Sequence, residues 1–231
     1  MTHPFSINSD QSSGRVIVDS PMLSEQVAEH LFRELVSGRL RGGQRVNEAE
    51  LARTLGISRN PIREAIRMLE ERGLLVSSPR RGTFVRSFSK QDIEDIFSFR
   101  QLIEGFAIRQ ALPKMEEKDH AGLVAIAERM ATAAKEGKEM ELVQADIAFH
   151  QRICELSGNS QILRAFMNIH AEVQMSITLV EHRFETLDEA AADHWPIVEA
   201  IATKNADIAA AALDAHIKDS WMRISAAYPD N

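Results

Sequence analysis

The sequence is short of what builds secreted, membrane-spanning or single-strand-binding proteins. Its one cysteine, Cys154, cannot form an intramolecular disulfide and suits a reducing compartment. One tyrosine, two tryptophans and an aromatic share of 6% argue against a stacking platform for single-stranded nucleic acid. No apolar run approaches the length of a membrane span, and the opening MTHPFSINSDQSSG lacks the apolar centre of a secretion signal. A cytoplasmic location with no membrane partner is therefore expected. No phosphate loop, dinucleotide fingerprint or internal repeat is present. Lysine is missing from the first 88 residues, where all 13 basic side chains are arginine.

What is present fits a soluble globular chain. It has 231 residues, 44% of them hydrophobic and 26% charged, enough for one large or two ordinary domains. A net charge of −7 conceals an asymmetry. The first 88 residues set 13 arginines against 10 acidic side chains; the remainder sets 14 basic against 24 acidic. A small basic head on an acidic partner can face phosphates only if the acidic part points away from them.

The densest local signal runs from Gly43 to Val85. Asn47 is a good N-cap and Glu50 follows three residues later, so a capping box can open a first helix with an apolar stripe at Leu51 and Leu55. Gly56 stops it. Ser58 caps a second helix, with Pro61 in its first turn, where a missing N–H costs nothing. Ile62, Ala65, Ile66 and Leu69 form that helix's inner face; Arg59, Arg63 and Arg67 form another. After Gly73, Leu74-Leu75-Val76 and Thr83-Phe84-Val85 read as strands around a Pro-Arg-Arg-Gly turn. The expected unit is a winged helix-turn-helix, whose second helix enters the major groove. Leu23, Val27, Leu31 and Leu35 predict an amphipathic helix packed behind it, and Ser87-Phe88-Ser89 a linker.

The Asn-Glu-x-x-Leu-Ala, Leu-Gly-Ile-Ser-Arg-x-Pro-x-Arg-Glu-Ala and Leu-Glu-x-x-Gly-Leu runs, with a wing carrying Arg-Gly-x-x-Val, resemble the DNA-binding domain of GntR-type bacterial transcription regulators. From Ser89 onward helical periodicity persists to Tyr228, broken at Pro113, Gly137, Ser157-Gly158-Asn159, Thr186 and Lys204-Asn205. These breaks predict about six helices. This half resembles the FCD effector domain of the family's FadR branch. The expected fold is thus mainly α: a disordered tail (1–20), a winged helix-turn-helix with a small β-wing (21–86), and an all-α antiparallel bundle for effector binding and dimerisation (87–231).

The resemblance implies a metabolite-responsive regulator, more simply a repressor, that reads a palindromic double-stranded operator as a homodimer. Ser58, Arg59, Asn60 and Arg63 would reach DNA from the second helix, and Arg80, Arg81 and Gly82 from the wing.

In the bundle, Asp146 and His150 stand at i, i+4 on one helix face, a sensible pair of metal ligands. His194 and His216 lie 11 residues on either side of Asn205, so antiparallel helices turning there would carry them at equal height. On pattern alone, an Asp–His pair is also what a solvated ion pair looks like. The FCD resemblance implies a divalent metal held by Asp146, His150, His194 and His216, with zinc the first expectation and nickel or another transition metal the others. Pro196, two residues after His194, must kink a helix or start one. Arg100 is an i, i+4 partner for Glu104. By resemblance it is also the arginine presented to a small organic acid effector. Asn168 mirrors His150 about Asn159 and is expected to line the same cavity. His120, His170 and His182 have no partner spacing, and Cys154 reads as a buried structural thiol. A metal-dependent hydrolase-like enzyme, or a regulator with a purely structural metal, are the alternatives; no further base is placed by motif beside the ligands.

Overall fold

A computed structural model describes residues 22–178 and 186–228, so the expected disordered tail and His182 lie outside the described residues. It begins with the amphipathic helix α1 (Leu23–Val36), which buries Val27, Leu31 and Leu35 and leaves Leu23 exposed. The strand β1 (Arg45–Val46) leads into α2 (Glu48–Leu55). Asn47 opens α2, its Oδ1 accepting from the backbone N–H of Ala49 at 3.1 Å and of Glu50 at 3.3 Å. Gly56 closes it in the left-handed conformation, φ 66°, where a side chain would be strained.

Helix α3 (Arg59–Glu71) follows, then the wing strands β2 (Leu75–Ser78) and β3 (Gly82–Val85). Ser58 is the backbone N-cap of α3, but its hydroxyl makes no cap bond, contrary to the expected role. The wing is a three-stranded antiparallel sheet in the order β1-β3-β2, with Arg45 opposite Phe84 and Ser77 opposite Thr83. The sequence reading has two strands. At two residues, β1 is too short to alternate, and only its pairing with β3 defines it.

The second half is helical throughout its described residues: α4 (Lys90–Ala111), a 3-10 turn at Leu112–Lys114, α5 (Glu117–Lys135), α6 (Glu139–Leu156), α7 (Ser160–Thr178), α8 (Leu187–Ala192), α9 (Trp195–Ala202) and α10 (Ala206–Ser225). Seven α-helices thus stand where about six are expected. The difference lies at Pro196, which has no N–H to donate and is accommodated in the first turn of a new helix. α4 packs against α6, α7 and α10 and is the bundle's central helix. No helix among the described residues is long and apolar enough to cross a membrane.

The expected linker is packed rather than loose. Phe88 is buried, edge-on to Tyr228 with ring centroids 6.4 Å apart, and Ser89 opens α4 through a capping box with Asp92. Arg86 gathers the junction: its Nη1 donates to Gly73 O (3.3 Å) and to Glu172 on α7. Its Nη2 donates to Asp92 (2.7 Å), and the guanidinium lies 4.8 Å from the Phe88 ring centre. The end of the winged unit is therefore bound to two helices of the bundle.

Candidate functional site

Two separate surfaces carry chemistry. The first is the outer face of α3 with the wing. Ile62, Ala65, Ile66 and Leu69 are buried, which turns Arg59, Asn60 and Arg63 to solvent, with Ser58 exposed just before them. Arg63 Nε is 2.9 Å from Glu48 Oε2, so the first turn of α2 holds that guanidinium in place. In the wing turn Arg80 takes a left-handed backbone, φ 64°, and Arg81 lies 5.9 Å from the Phe84 ring centre. Both side chains are exposed. Gly82 has φ 103°, and a Cβ there would meet Arg45 Nε at 3.0 Å. Arg45, absent from the sequence-based candidates, thus lies beside the turn end of the wing. Only the unrecognised β1 would have revealed it.

The second surface is inside the bundle. α6 supplies Asp146 and His150, α10 supplies His216, and the break between α8 and α9 supplies His194 as the N-cap of α9. One ligand atom from each of these four residues lies within 4.8 Å of every other. The three imidazoles cluster with ring centroids 4.4 Å (His194–His216), 5.2 Å (His150–His216) and 5.6 Å (His150–His194) apart. Asp146 Oδ2, His150 Nε2 and His216 Nδ1 are buried without a hydrogen-bond partner, and His194 Nε2 faces Asp146 Oδ1 at 3.1 Å, inside the cluster itself. Native interiors rarely leave such atoms orphaned, and four clustered donors of these types could hold a metal ion. The span is slightly wider than the roughly 4.4 Å of two opposed metal–ligand bonds.

A second layer orients these donors. His150 Nδ1 donates to Glu104 Oε2 at 2.5 Å, and His194 Nδ1 to the Ala190 carbonyl at 3.3 Å, leaving the Nε2 of each for the centre. Glu104 also accepts from Arg100 Nε at 2.8 Å, with both side chains buried. The sequence reading has Glu104 only as an i, i+4 partner of Arg100. Its hold on His150 spans 46 residues of sequence, and no local pattern signals it. Nor is the Arg100–Glu104 pair the weak surface contact that spacing implies, since neither side chain has water to fall back on.

Charge at the centre follows from this packing. Burial alone would raise the Asp146 carboxyl, but His194, His150 and Arg100 outweigh it and hold Asp146 well below the carboxylate range. Burial would likewise raise Glu104, and Arg100 and His150 bring it below its ordinary value. Burial and the neighbouring His194 and His150 push His216 well below the usual imidazole range, so it is neutral and offers a lone pair. Burial pushes the Cys154 thiol up, which leaves it inert.

Arg100 Nη2 is a further buried atom without a partner. Together with Asp146, Arg100 borders a cavity of about 20 Å³ otherwise lined mainly by apolar side chains such as Leu142, Ile177 and Ile224. Asn168 does not reach it; that side chain is exposed on α7. Counting residues from Asn159 gives the height of Asn168 along α7 but not its azimuth. Phe166, two residues away, takes the inward direction instead. His120 Nε2 meets the Val198 carbonyl at 3.2 Å and His170 Nδ1 the Met167 carbonyl at 2.5 Å; neither joins the cluster.

Comparison with known proteins adds a family context. Residues 23–85 match the family described as bacterial regulatory proteins, gntR family, and residues 95–219 match the FCD domain. The "Probable D-xylose utilization operon transcriptional repressor" of Paenarthrobacter nicotinovorans is 34% identical over 196 residues, covering 84% of this chain and 85% of that protein. The gluconate operon transcriptional repressor of Bacillus licheniformis is 25% identical over 199 residues, covering 84% and 82%. In fold, the chain is similar to a crystal structure of a GntR transcriptional regulator from Rhodococcus sp. RHA1. The TM-score is 0.78 at 24% identity, over 89% of this chain and 99% of that one.

Proposed function

Since the chain belongs to the GntR family of bacterial regulatory proteins and carries an FCD domain, and is thus a DNA-binding transcription regulator rather than an enzyme, we propose that it is a metabolite-responsive repressor. We assign residues 21–86 to operator binding and residues 87–231 to effector binding and dimerisation, with the protein acting in the cytoplasm on a palindromic site as a dimer. The repressor sense is supported by the names of the D-xylose and gluconate relatives.

In this reading Arg59, Asn60 and Arg63, with Ser58, meet base edges in the major groove, while Arg80 and Arg81 bring the wing to phosphates, Gly82 giving the turn its close approach. Asp146, His150, His194 and His216 hold a divalent metal, zinc or another transition ion. The observation that carries this is the convergence of four buried donor atoms from three parts of the bundle, with no hydrogen-bond partner outside the cluster for any of them. A bound ion would supply Lewis acidity toward a carboxylate if it accepts more than four ligands. Arg100 Nη2 would grip the same acid as a charge-assisted donor, held in line by Glu104. The existing cavity has room for about one water and not for an organic acid. The acid must therefore favour a wider arrangement of α4, α6 and α10, and only such differential affinity can shift the heads.

The test is metal analysis and operator binding with a panel of small carboxylic acids. The wild-type chain should purify with about one metal per protomer and release, or tighten on, its own promoter with one acid class. His216→Ala should lose the metal and the acid response while keeping operator affinity. Retention of stoichiometric metal by His216→Ala sinks the ligand assignment. Equal, salt-erased affinity for every duplex sinks the operator assignment. A metal that raises the melting temperature when no acid does so would mark a structural role.

A further inference from the structure

The wing sheet has an inner and an outer face. Val46, Thr83 and Val85 are buried, so strand alternation turns Arg45, Gly82 and Phe84 outward. Arg45 stands opposite Phe84 in the register, and the Arg81 guanidinium lies 5.9 Å from the centre of that same ring. From there the Arg45 side chain reaches back toward the turn. A Cβ on Gly82 would meet its Nε at 3.0 Å, its Nη2 at 3.2 Å and its Cζ at 3.5 Å. Position 82 thus needs glycine twice, for a φ of 103° and for the space that the guanidinium occupies. We propose that Arg45 is a further DNA-contacting residue, a third guanidinium brought to the wing turn from outside it, and that it grips a backbone phosphate rather than a base edge.

Charge favours this role. Arg45 is exposed, and its side chain has no hydrogen-bond or ion-pair partner among the described residues. Residues 75–85 contain no acidic side chain, and Glu48, three positions after Arg45, is taken by Arg63. Other arginines of the head are neutralised where they stand, Arg39 by Glu34 and Arg86 by Asp92 and Glu172. Arg45, Arg80 and Arg81 instead leave uncompensated positive charge around one turn, where each repels the others. A polyanion relieves that repulsion, and releases counterions of its own as it does so. A strand at the flank of the wing, unlike the first turn of α3, does not enter the groove; contacts from such places fix the protein on the duplex through phosphate and carry no sequence information.

The assignment rests on the reading of Arg80 and Arg81 as wing contacts and extends it. It also gives the two-residue β1 a purpose. Arg45 lies two positions before Asn47, the cap of α2, so this strand ties a phosphate grip at the wing to the start of the helix-turn-helix.

Anisotropy titrations of the full chain test the proposal, on a duplex from its own promoter and on a scrambled duplex, between about 50 and 200 mM salt. Arg45→Gln should bind both duplexes about three- to tenfold more weakly. Its plot of log affinity against log salt should be shallower by about one per bound protomer, with the preference for promoter and the melting temperature unmoved. Arg45→Lys, which keeps the charge, should keep the wild-type slope. The comparison variant carries Arg80→Ala with Arg81→Ala. If it weakens binding while Arg45→Gln matches wild type in affinity and slope, the Arg45 assignment falls and the wing reading stands. If neither variant weakens binding, both fall. A loss confined to the promoter duplex would make Arg45 a base contact and overturn the phosphate assignment. A lower melting temperature with an unchanged slope would make its role structural and overturn the proposal.

Discussion

The head and the bundle handle charge in opposite ways. In the head, Arg59, Arg63, Arg80 and Arg81 are exposed, and the one ion pair among them, Arg63–Glu48, is open to water. In the bundle, Arg100, Glu104 and His150 are buried and mutually bonded. Exposed charge adds little to folding and stays available to a polyanion, whereas buried charge must be paired and is poised for a small ligand in a low dielectric. The two halves should therefore answer substitution differently, one in binding and the other in stability.

The sharpest contrast comes from Glu104→Ala. It strands two buried groups, Arg100 and His150, and should cost about 3–5 kcal/mol in urea unfolding. A loss under 1 kcal/mol would mean that the network is not holding the bundle together. Next is Arg59→Ala in the head. Operator affinity should fall by about 1–3 kcal/mol in anisotropy titrations at fixed salt, with the melting temperature unmoved. A parallel drop in melting temperature would erase the distinction between the halves. Asn47→Ala removes the α2 cap and should cost about 1 kcal/mol, the ordinary scale for a single local bond in the head.

The smallest effect lies at the junction. Burial would raise Asp92, but the Ser89 hydroxyl and N–H and then Arg86 hold it below its ordinary value. A carboxyl whose folded value is lowered adds stability above its unfolded value, about 3.9, and loses it as pH falls through the folded value. Asp92→Asn should flatten the acid side of the melting curve below about pH 4. An unchanged slope would assign that limb to other carboxylates.

The two halves also differ in how far sequence exposes them. Helix α2, its left-handed Gly56 and the arginine face of α3 are legible because each depends on neighbours within a turn or two. β1 is not, because its identity is a partner some forty residues away at Thr83 and Phe84. In the bundle, the Asp146–His150 spacing and the equal distances of His194 and His216 from Asn205 suggest a cluster, and the structure brings those side chains together. Pro196 reads as a possible break, and α9 indeed begins around it. Glu104 stays invisible as the partner of His150, since helical periodicity explains it fully as a partner of Arg100. Asn168 misleads for a related reason: symmetry in residue count fixes a level along a helix, while packing fixes which way the side chain turns.

Arg86 has a mechanical consequence. Its guanidinium joins the carbonyl of Gly73 at the foot of the head, Glu172 on α7 and Asp92 on α4, with Phe88 beneath it. A hinge would swallow small rotations of the bundle. A clamp of this kind makes the head a rigid outrigger instead, so a tilt of α7 by a few degrees is magnified into travel at the arginine tips in proportion to their distance from the pivot.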